Sequence, residues 1–292
     1  MSRKTRTTIA GYAFLLPWMI GFLGLTVFPM LASLFYSFNK YDMLTDPVWI
    51  GLDNYANMLG DERFWTSLGV TFRYVFLSVP LQLAFALLLA NALKKDRPFV
   101  RMYRAIYYLP SLFGGSVAIS ILWRQIFNKT GLFNQILAVF GIKGINWIST
   151  PSTALNTLIF LAVWQFGSSM VIFMSALKQI PADYYEAASI DGASKARQFF
   201  RITIPLLTPM VFFNIVMQVI NAFQAFTPAY IISNGTGAPL NSTLFYSLYL
   251  YIQAFSQFKM GYASALAWVL LIIIGTVTGL LFASAKKWVY YD

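Results

Sequence analysis

Six long apolar runs alternate with short polar stretches along this chain. A helix needs about 20 apolar residues to cross the roughly 30 Å hydrocarbon core of a bilayer, and every run reaches that length. The pattern therefore predicts six membrane-spanning helices, at 10–37, 68–92, 105–127, 155–177, 205–231 and 261–285. No polar stretch is long enough for a soluble domain, so we expect one all-α transmembrane domain over 1–292.

The composition agrees with this class and narrows the chemistry. Apolar residues make up 58% of the chain and charged residues 11%, against roughly 25% charged residues in soluble domains. Cysteine and histidine are both absent, which removes disulfides, thiol catalysis and the commonest metal ligand and general base. We therefore expect no catalytic residue, no metal site and no cofactor bound by this chain.

The distribution of lysine and arginine predicts the orientation, because these residues concentrate in cytoplasmic loops. With both termini inside, 14 of the 21 basic residues are cytoplasmic. They are Arg3, Lys4, Arg6, Lys94, Lys95, Arg97, Arg101, Arg104, Lys178, Lys195, Arg197, Arg201, Lys286 and Lys287. The topology and anionic membrane lipid account for the net charge of +11, so no nucleic-acid partner is needed.

The spans lack groups that would couple transport to energy. Ionisable residues deep in a span mark proton or ion pathways, but here Arg73 and Arg124 lie near the predicted outer ends of spans two and three. The chain also has no G-x-x-x-x-G-K-[ST] loop that would bind the phosphates of ATP. Energy would therefore come from a partner, although sodium binding to carbonyls at broken helices stays open.

Amide side chains form a stripe along the fifth predicted span. Asn214, Gln218 and Asn221 recur at i, i+4 and i+7, with Gln224 at the edge of the same face. Amides both donate and accept hydrogen bonds, which suits sugar hydroxyls, and aromatic rings can cover the apolar face of a sugar. The predicted substrate path comprises Trp164, Gln165, Asn214, Gln218, Asn221, Phe223 and Gln224, with Gln82 and Phe226 as further candidates. The alternative is that the amides only bond between helices, at ~0.6 kcal/mol each.

A charged stretch at 178–204 separates the fourth and fifth predicted spans. Pro181 and Asp183 are typical of a helix start, Gly192 permits a turn, and Ser194 can cap a second helix. The pattern predicts a helix, a glycine turn and another helix. An ordinary cytoplasmic loop would have the same pattern.

Part of this stretch resembles a known signature. "EAASIDG", nine further residues and "ITIP" are similar to the EAA motif of the membrane subunits of ATP-binding-cassette importers. The matching residues are Glu186, Ala187, Ala188, Gly192, Ile202 and Pro205, while Ile204 replaces the usual leucine. Other stretches, among them "RMYRAIYYLP" and "SALKQIPADYYEAASIDGAS", resemble the maltose-type sugar permeases, and "MGYASALAW" resembles the first of their two permease subunits.

The resemblance implies a multi-pass protein of the bacterial inner membrane with the type I permease fold. It also implies a defined set of partners. These are a second related permease, two ATPases that carry ATP and magnesium, and an extracytoplasmic sugar-binding protein. The segment between spans four and five would be the coupling helix in a cleft of one ATPase. Its coupling residues would be Tyr184, Tyr185, Glu186, Ala187, Ala188, Asp191 and Gly192.

The implied function is transport of a sugar or oligosaccharide by a non-catalytic permease subunit. Two other classes stay open from the residues alone. One is a stand-alone secondary carrier or channel for a neutral polar solute, and it needs no ATPase. The other is a membrane-embedded enzyme, which the absence of histidine and cysteine disfavours.

Overall fold

The computed structural model describes residues 3–95 and 98–290, with side chains from residue 11 onward, so the predicted inner-face cation Arg97 lies outside the described residues. The helices are α1 Arg3–Phe22, α2 Phe28–Ser37, α3 Asp53–Leu59, α4 Glu62–Leu93, α5 Val100–Phe113, α6 Val117–Ile126, α7 Leu132–Val139, α8 Pro151–Trp164, α9 Gly167–Gln179, α10 Ala182–Ile190, α11 Lys195–Gln198, α12 Ile204–Phe223, α13 Thr227–Ile232, α14 Tyr246–Tyr251 and α15 Met260–Ala285. Wider π-helical turns occur at Leu23–Val27, Phe199–Thr203 and Ile252–Ser256. Two short strands are β1 Asn39–Lys40 and β2 Val48–Trp49.

The predicted all-α membrane class is confirmed. Within residues 3–95 and 98–290, five helical segments are long and apolar enough to cross a membrane, and the bent pair α5 and α6 supplies a sixth if it is one span. The five are Gly11–Ser37, Glu62–Leu93, Pro151–Gln179, Lys195–Ile232 and Met260–Ala285. The predicted third span at 105–127 is therefore not one straight helix: its two halves meet at 103°, and Gly114 and Gly115 occupy the break. Glycine tolerates such a break because it lacks a Cβ atom.

Two other helices extend beyond the predicted spans. α4 begins at Glu62 and not at residue 68, so Arg73 is its twelfth residue, roughly 16 Å along the helix at 1.5 Å per residue. An acidic side chain in the first turn interacts favourably with the positive end of a helix, which explains this extension. The helical segment that contains the predicted fifth span begins at Lys195 and not at residue 205, because a π-helical turn continues α11 into α12. Hydropathy windows register neither extension, since both add polar residues.

The contacts divide the chain into two compact units, one formed by Glu62–Tyr249 with Ile272–Asp292 and the other by Met1–Asp61 with Leu250–Leu271. In the larger unit α4 packs against α8, α9 and α12. Its core includes Leu161 and Phe173, each 1% exposed. The predicted single domain stays a prediction.

The smaller unit contains the antiparallel pair β1 and β2, in which Asn39 pairs with Trp49. The buried amide of Asn54 donates to the carbonyls of Ser37 (2.9 Å) and Asn39 (3.0 Å), which fixes the end of α2 to α3. The apolar segment Gly11–Ser37 has no buried residue in its most hydrophobic window. Its surface is therefore free to contact lipid or another chain.

Gly167, the first residue of α9, permits close packing against α5. A Cβ atom on Gly167 would lie 2.5 Å from the carbonyl oxygen of Tyr107 and 2.8 Å from the Cα of Tyr108. Because backbone atoms cannot rotate away, Gly167→Ala is expected to cost about 1–3 kcal/mol, as overpacking does in other cores. Gly275→Ala is the matched control, since a Cβ atom there meets nothing within 4 Å. The midpoint of thermal unfolding of the purified protein measures both, and equal midpoints would contradict the close α5–α9 contact.

Candidate functional site

Two of the apolar segments break at the same place. α8 ends at Trp164 and α9 begins at Gly167, so the carbonyl of Gln165 has left the helical pattern. It accepts hydrogen bonds from Gln82 Nε2 (3.1 Å) and Ser111 Oγ (3.0 Å). The Gln165 side chain in turn donates from Nε2 to the carbonyl of Gly114, at the break between α5 and α6 (3.0 Å). These bonds satisfy polar backbone groups that hydrocarbon could not.

Gly114 is required for this arrangement. A Cβ atom on Gly114 would lie 2.0 Å from Cδ of Gln165, so a larger residue would displace that side chain. The paired glycines, Gln165 and Ser111 therefore form one polar joint between two broken spans. Discontinuous helices of this kind form substrate sites in other transporters.

A cavity of about 220 Å³, which we call the amide cavity, opens beside this joint. It lies between α4, α8, α12 and the start of α13. Its polar lining residues are Ser78, Gln82, Gln165, Gln218, Asn221 and Thr227, and its rings are Tyr74 and Phe226. Among the described residues that line it, none carries a charge. Uncharged donors and acceptors beside aromatic rings suit a neutral polyhydroxylated ligand.

Three of the seven predicted path residues, Gln165, Gln218 and Asn221, line the amide cavity. Gln218 is oriented by a hydrogen bond from its Nε2 to Ser169 Oγ on α9 (3.1 Å). Asn221 is exposed and has no hydrogen-bond partner in the part of the chain that the structure describes. The amide of Asn221 is therefore available to a ligand.

The other four predicted path residues do not line the amide cavity. Asn214 is 2% exposed and donates to the carbonyl of Met210 in its own helix (2.9 Å). Phe223 is buried with its ring edge-on to Phe72, and Trp164 lies beside the ring of Trp123. Gln224 is the C-cap residue that follows α12.

Sequence reasoning did not identify Ser111, Ser78 or the joint at Gly114. The available signal was the adjacent pair Gly114 and Gly115 inside an apolar run, because glycine-interrupted spans mark binding sites in transporters. Serine is common at helix interfaces in membranes, so Ser78 and Ser111 carried no comparable signal.

The segment at 178–204, which we call the coupling segment after its predicted role, has the predicted helix–turn–helix form. α10 begins directly after Pro181, and Gly192 adopts a left-handed conformation with φ +74°. Ser194 caps α11 by accepting a hydrogen bond from the backbone N–H of Arg197 (3.3 Å). The chain then enters α12 through the π-helical turn Phe199–Thr203. The segment is thus continuous with the fifth span.

A buried amide joins the two parts of this segment. Gln198 is 4% exposed, and its Nε2 donates to Ser189 Oγ (2.8 Å) and to the carbonyl of Ala193 (3.2 Å). The hydroxyls of Tyr185 and Thr203 share a second hydrogen bond (2.9 Å). Hydrogen bonds therefore connect α10 and the turn at Gly192 to the residues that lead into the fifth span.

The end of α4 also contacts α10. The ammonium group of Lys94 lies 5.4 Å from the ring centre of Tyr185, within range of a cation–π interaction. Burial lowers the pKa of Lys94, and the nearby charges of Lys95 and Lys195 lower it further. Three polypeptide segments, at the ends of α4, α10 and α11, thus meet around Tyr185.

The other predicted coupling residues face away from this contact. Tyr184, Glu186, Ala187, Asp191 and Gly192 are exposed, and only Ala188 is partly covered. The Glu186 carboxylate has no ion pair or hydrogen bond with any described residue. α10 therefore presents a free carboxylate next to small side chains.

No group of three histidine, cysteine, aspartate or glutamate side chains that could hold a metal occurs in residues 3–95 and 98–290.

A family model described as binding-protein-dependent transport system inner membrane component matches residues 82–289. The chain is 55% identical to the probable ABC transporter permease protein YesP of Bacillus subtilis, over 100% of this chain and 95% of the relative. It is 30% identical to the lactose transport system permease protein LacF of Rhizobium radiobacter, over 98% and 97%.

A third relative is the trehalose/maltose transport system permease protein MalF of Thermococcus litoralis, 32% identical over 88% of this chain and 86% of the relative. Among solved structures, a chain of a bacterial alginate ABC transporter in complex with an alginate pentasaccharide-bound periplasmic protein superposes with a TM-score of 0.84. That chain is 19% identical, with 98% of this chain and 96% of the other covered. At this identity the likeness concerns the fold.

Proposed function

The chain belongs to the family of binding-protein-dependent transport system inner membrane components, and we propose that its translocation path carries a sugar or oligosaccharide. It is a multi-pass ABC transporter permease with the type I importer fold. The observation that supports this substrate class is the amide cavity, which offers uncharged hydrogen-bonding groups and aromatic rings where two spans break. The names of two relatives, lactose and trehalose/maltose permeases, agree with it.

In this proposal the chain is a non-catalytic half of the translocation path in a bacterial cytoplasmic membrane, with both termini on the cytoplasmic side. A second related permease forms the other half, and an extracytoplasmic binding protein delivers the sugar. Two ATPases bind ATP and magnesium on the cytoplasmic side and receive α10 in a cleft. Their closure moves α10, and the bonds of Gln198 and Tyr185 pass that movement to the fifth span. Rigid halves then alternate in access around the amide cavity.

The reconstituted complex tests the function. ATP hydrolysis should rise when the loaded binding protein is added, for some members of a panel of mono- and oligosaccharides. Vesicles that contain this chain alone should not take up any of them. Uptake by the chain alone, without ATPases, would instead establish a stand-alone carrier or channel.

Two amides of the cavity give a sharper prediction. Gln218→Leu and Asn221→Leu should each raise the sugar concentration for half-maximal uptake about three- to tenfold, because each removes hydrogen bonds worth about 0.5–1.5 kcal/mol. Asn156→Leu is the matched control, since Asn156 is an exposed amide in α8 that bonds only to its own helix. Uptake at several sugar concentrations by membrane vesicles with equal permease levels measures the effect. Unchanged uptake in both variants would mean that these amides serve only in helix packing.

A further inference from the structure

A second hollow, of about 600 Å³, lies at the far ends of two helices that begin beside the amide cavity. α6 and α13 pack against each other. They begin near Gly115 and Thr227, which line the amide cavity, and they end near Arg124 and Ile232, which line the hollow. Gly115 and Arg124 are thus about 14 Å apart along the direction of α6, at 1.5 Å per residue. We call this second site the arginine hollow.

The charge of Arg124 in this hollow is not balanced by a carboxylate. Its guanidinium group donates to the carbonyl of Ile231 (3.2 Å) and to Oδ1 of Asn234, and both acceptors are neutral. No described acidic residue pairs with Arg124, and neither aspartate nor glutamate is among the residues found to line the hollow. The site therefore carries a net positive charge.

The wall of the hollow is preformed. Asn234, Gly235 and Gly237 adopt left-handed conformations, with φ of 54°, 76° and 80°. Ser233 is 4% exposed, and its hydroxyl donates a hydrogen bond to the carbonyl of Ala229 (2.7 Å) and accepts one from the N–H of Gly237 (3.0 Å). Backbone that surrounding hydrogen bonds hold in such conformations is common at binding sites. Because this loop is already ordered, a ligand would bind without a large loss of conformational entropy.

Two further side chains of the hollow are available to a ligand. The amide of Gln125 and the hydroxyl of Ser149 line it, are exposed, and form no hydrogen bond with any described residue. Together with Arg124 they offer a cation and neutral donors and acceptors in one concavity. The volume is in the range of about 300–1,000 Å³ that small-molecule sites occupy.

We propose that the arginine hollow is an entry site for a carboxylate-bearing sugar ring, so that the transported oligosaccharide is acidic. Guanidinium groups form their strongest hydrogen bonds with carboxylates, whereas a neutral ring would need only amides and hydroxyls. The inference rests on the proposed function and adds a substrate class to it. In this proposal the amide cavity, with its uncharged lining, receives the hydroxyl groups of the same oligosaccharide, whereas the carboxylate is bound only at Arg124.

The test uses the complete reconstituted transporter with its binding protein and ATPases. Two oligosaccharides of equal length are compared, one with uronate rings and one in which the carboxyl groups have been reduced to alcohols. Wild-type ATP hydrolysis should be stimulated by the uronate form. Arg124→Gln should raise the uronate concentration for half-maximal stimulation at least fivefold and leave that of the reduced form unchanged, and Arg124→Lys should retain most of the wild-type response.

A second variant guards against a folding defect, because Arg124 also holds the loop after α13. The side chain of Gln125 forms no hydrogen bond with any described residue, so Gln125→Glu should fold normally. The new carboxylate lies beside Arg124 and should repel the carboxylate of a uronate ring. It should give the same loss, selective for the uronate form. Lys143→Gln is the matched control: it removes one positive charge from an exposed position that is not among the hollow's lining residues, and should change neither response.

The outcomes separate the two proposals. An equal loss for both oligosaccharides in Arg124→Gln, with no loss in Gln125→Glu, would reduce Arg124 to support of the loop. A rise in the binding-protein concentration needed, with either sugar, would assign Arg124 to protein docking. Stimulation by the reduced form alone would overturn the acidic substrate and leave the proposed function standing. Absence of stimulation by any sugar would overturn the proposed function itself.

Discussion

Glu186→Lys should reduce sugar-stimulated ATP hydrolysis to the unstimulated rate, while the permease inserts and assembles normally. Glu186 is exposed on α10, and its carboxylate has no partner among the described residues, so its charge is available to a basic group of an ATPase. Reversal replaces an attraction with a repulsion across a contact. Loss of one member of a buried charged pair costs about 2–5 kcal/mol, which corresponds to a loss of roughly 30-fold or more.

ATP hydrolysis by the reconstituted complex, with and without loaded binding protein, measures this effect. Arg197→Glu is the control: it reverses a charge, by two units in the opposite direction, at an exposed residue of α11 beyond the turn at Gly192. Permease level in the membrane should be equal in wild type and both variants. Stimulation of the wild-type size in Glu186→Lys would remove this residue from the ATPase contact.

The spans were predictable because their signal is one of length and apolarity, which each segment carries in its own residues. The break in the third span was not predicted, although Gly114 and Gly115 stand in the sequence. Two glycines in an apolar run also suit close packing of an unbroken helix. The break is decided by Gln165, 51 residues away, whose side-chain amide donates a hydrogen bond to the carbonyl of Gly114.

The amide stripe shows the corresponding limit for the site. Asn214 and Gln218 are one turn apart on α12 and equivalent in the sequence pattern. Asn214 bonds its own helix, whereas Gln218 bonds Ser169 of α9 and reaches the amide cavity. Helical periodicity assigns residues to a face, but the position of a cavity along that face depends on where neighbouring helices break.

The coupling segment was predicted through its exposed residues and not through its interior. Glu186 and Gly192 belong to a recognisable motif, while Gln198 lies in the nine-residue interval that the motif leaves unspecified. Its burial arises only when α10 and α11 fold against each other around the turn. A buried amide with two well-formed bonds is the feature on which its proposed role in coupling rests.

Gln198→Leu should therefore separate ATP hydrolysis from transport. The substitution replaces the amide with an apolar side chain of similar size and removes the hydrogen bonds to Ser189 and Ala193. Each such bond contributes about 0.5–1.5 kcal/mol, so losing both weakens the interaction between α10 and the fifth span by roughly 2 kcal/mol. Glu186 is unchanged and α10 can still occupy the ATPase cleft. We expect ATP hydrolysis to continue while sugar uptake per ATP falls about 30-fold.

The ratio of sugar taken up to ATP hydrolysed, in vesicles with the reconstituted complex, is the decisive measurement, because a mere loss of folded protein lowers both quantities together. Tyr185→Phe removes the hydroxyl bond to Thr203 alone, about 1 kcal/mol, and should lower the ratio by a smaller factor. Gln135→Leu is the matched control, since Gln135 is an exposed amide that bonds only to the nearby carbonyl of Thr130. A normal ratio in Gln198→Leu, with a lower thermal midpoint, would restrict Gln198 to stabilising the loop. A ratio that falls in Gln198→Leu and Tyr185→Phe but not in Gln135→Leu would identify the bonded turn around Gly192 as the part that transmits movement to the span.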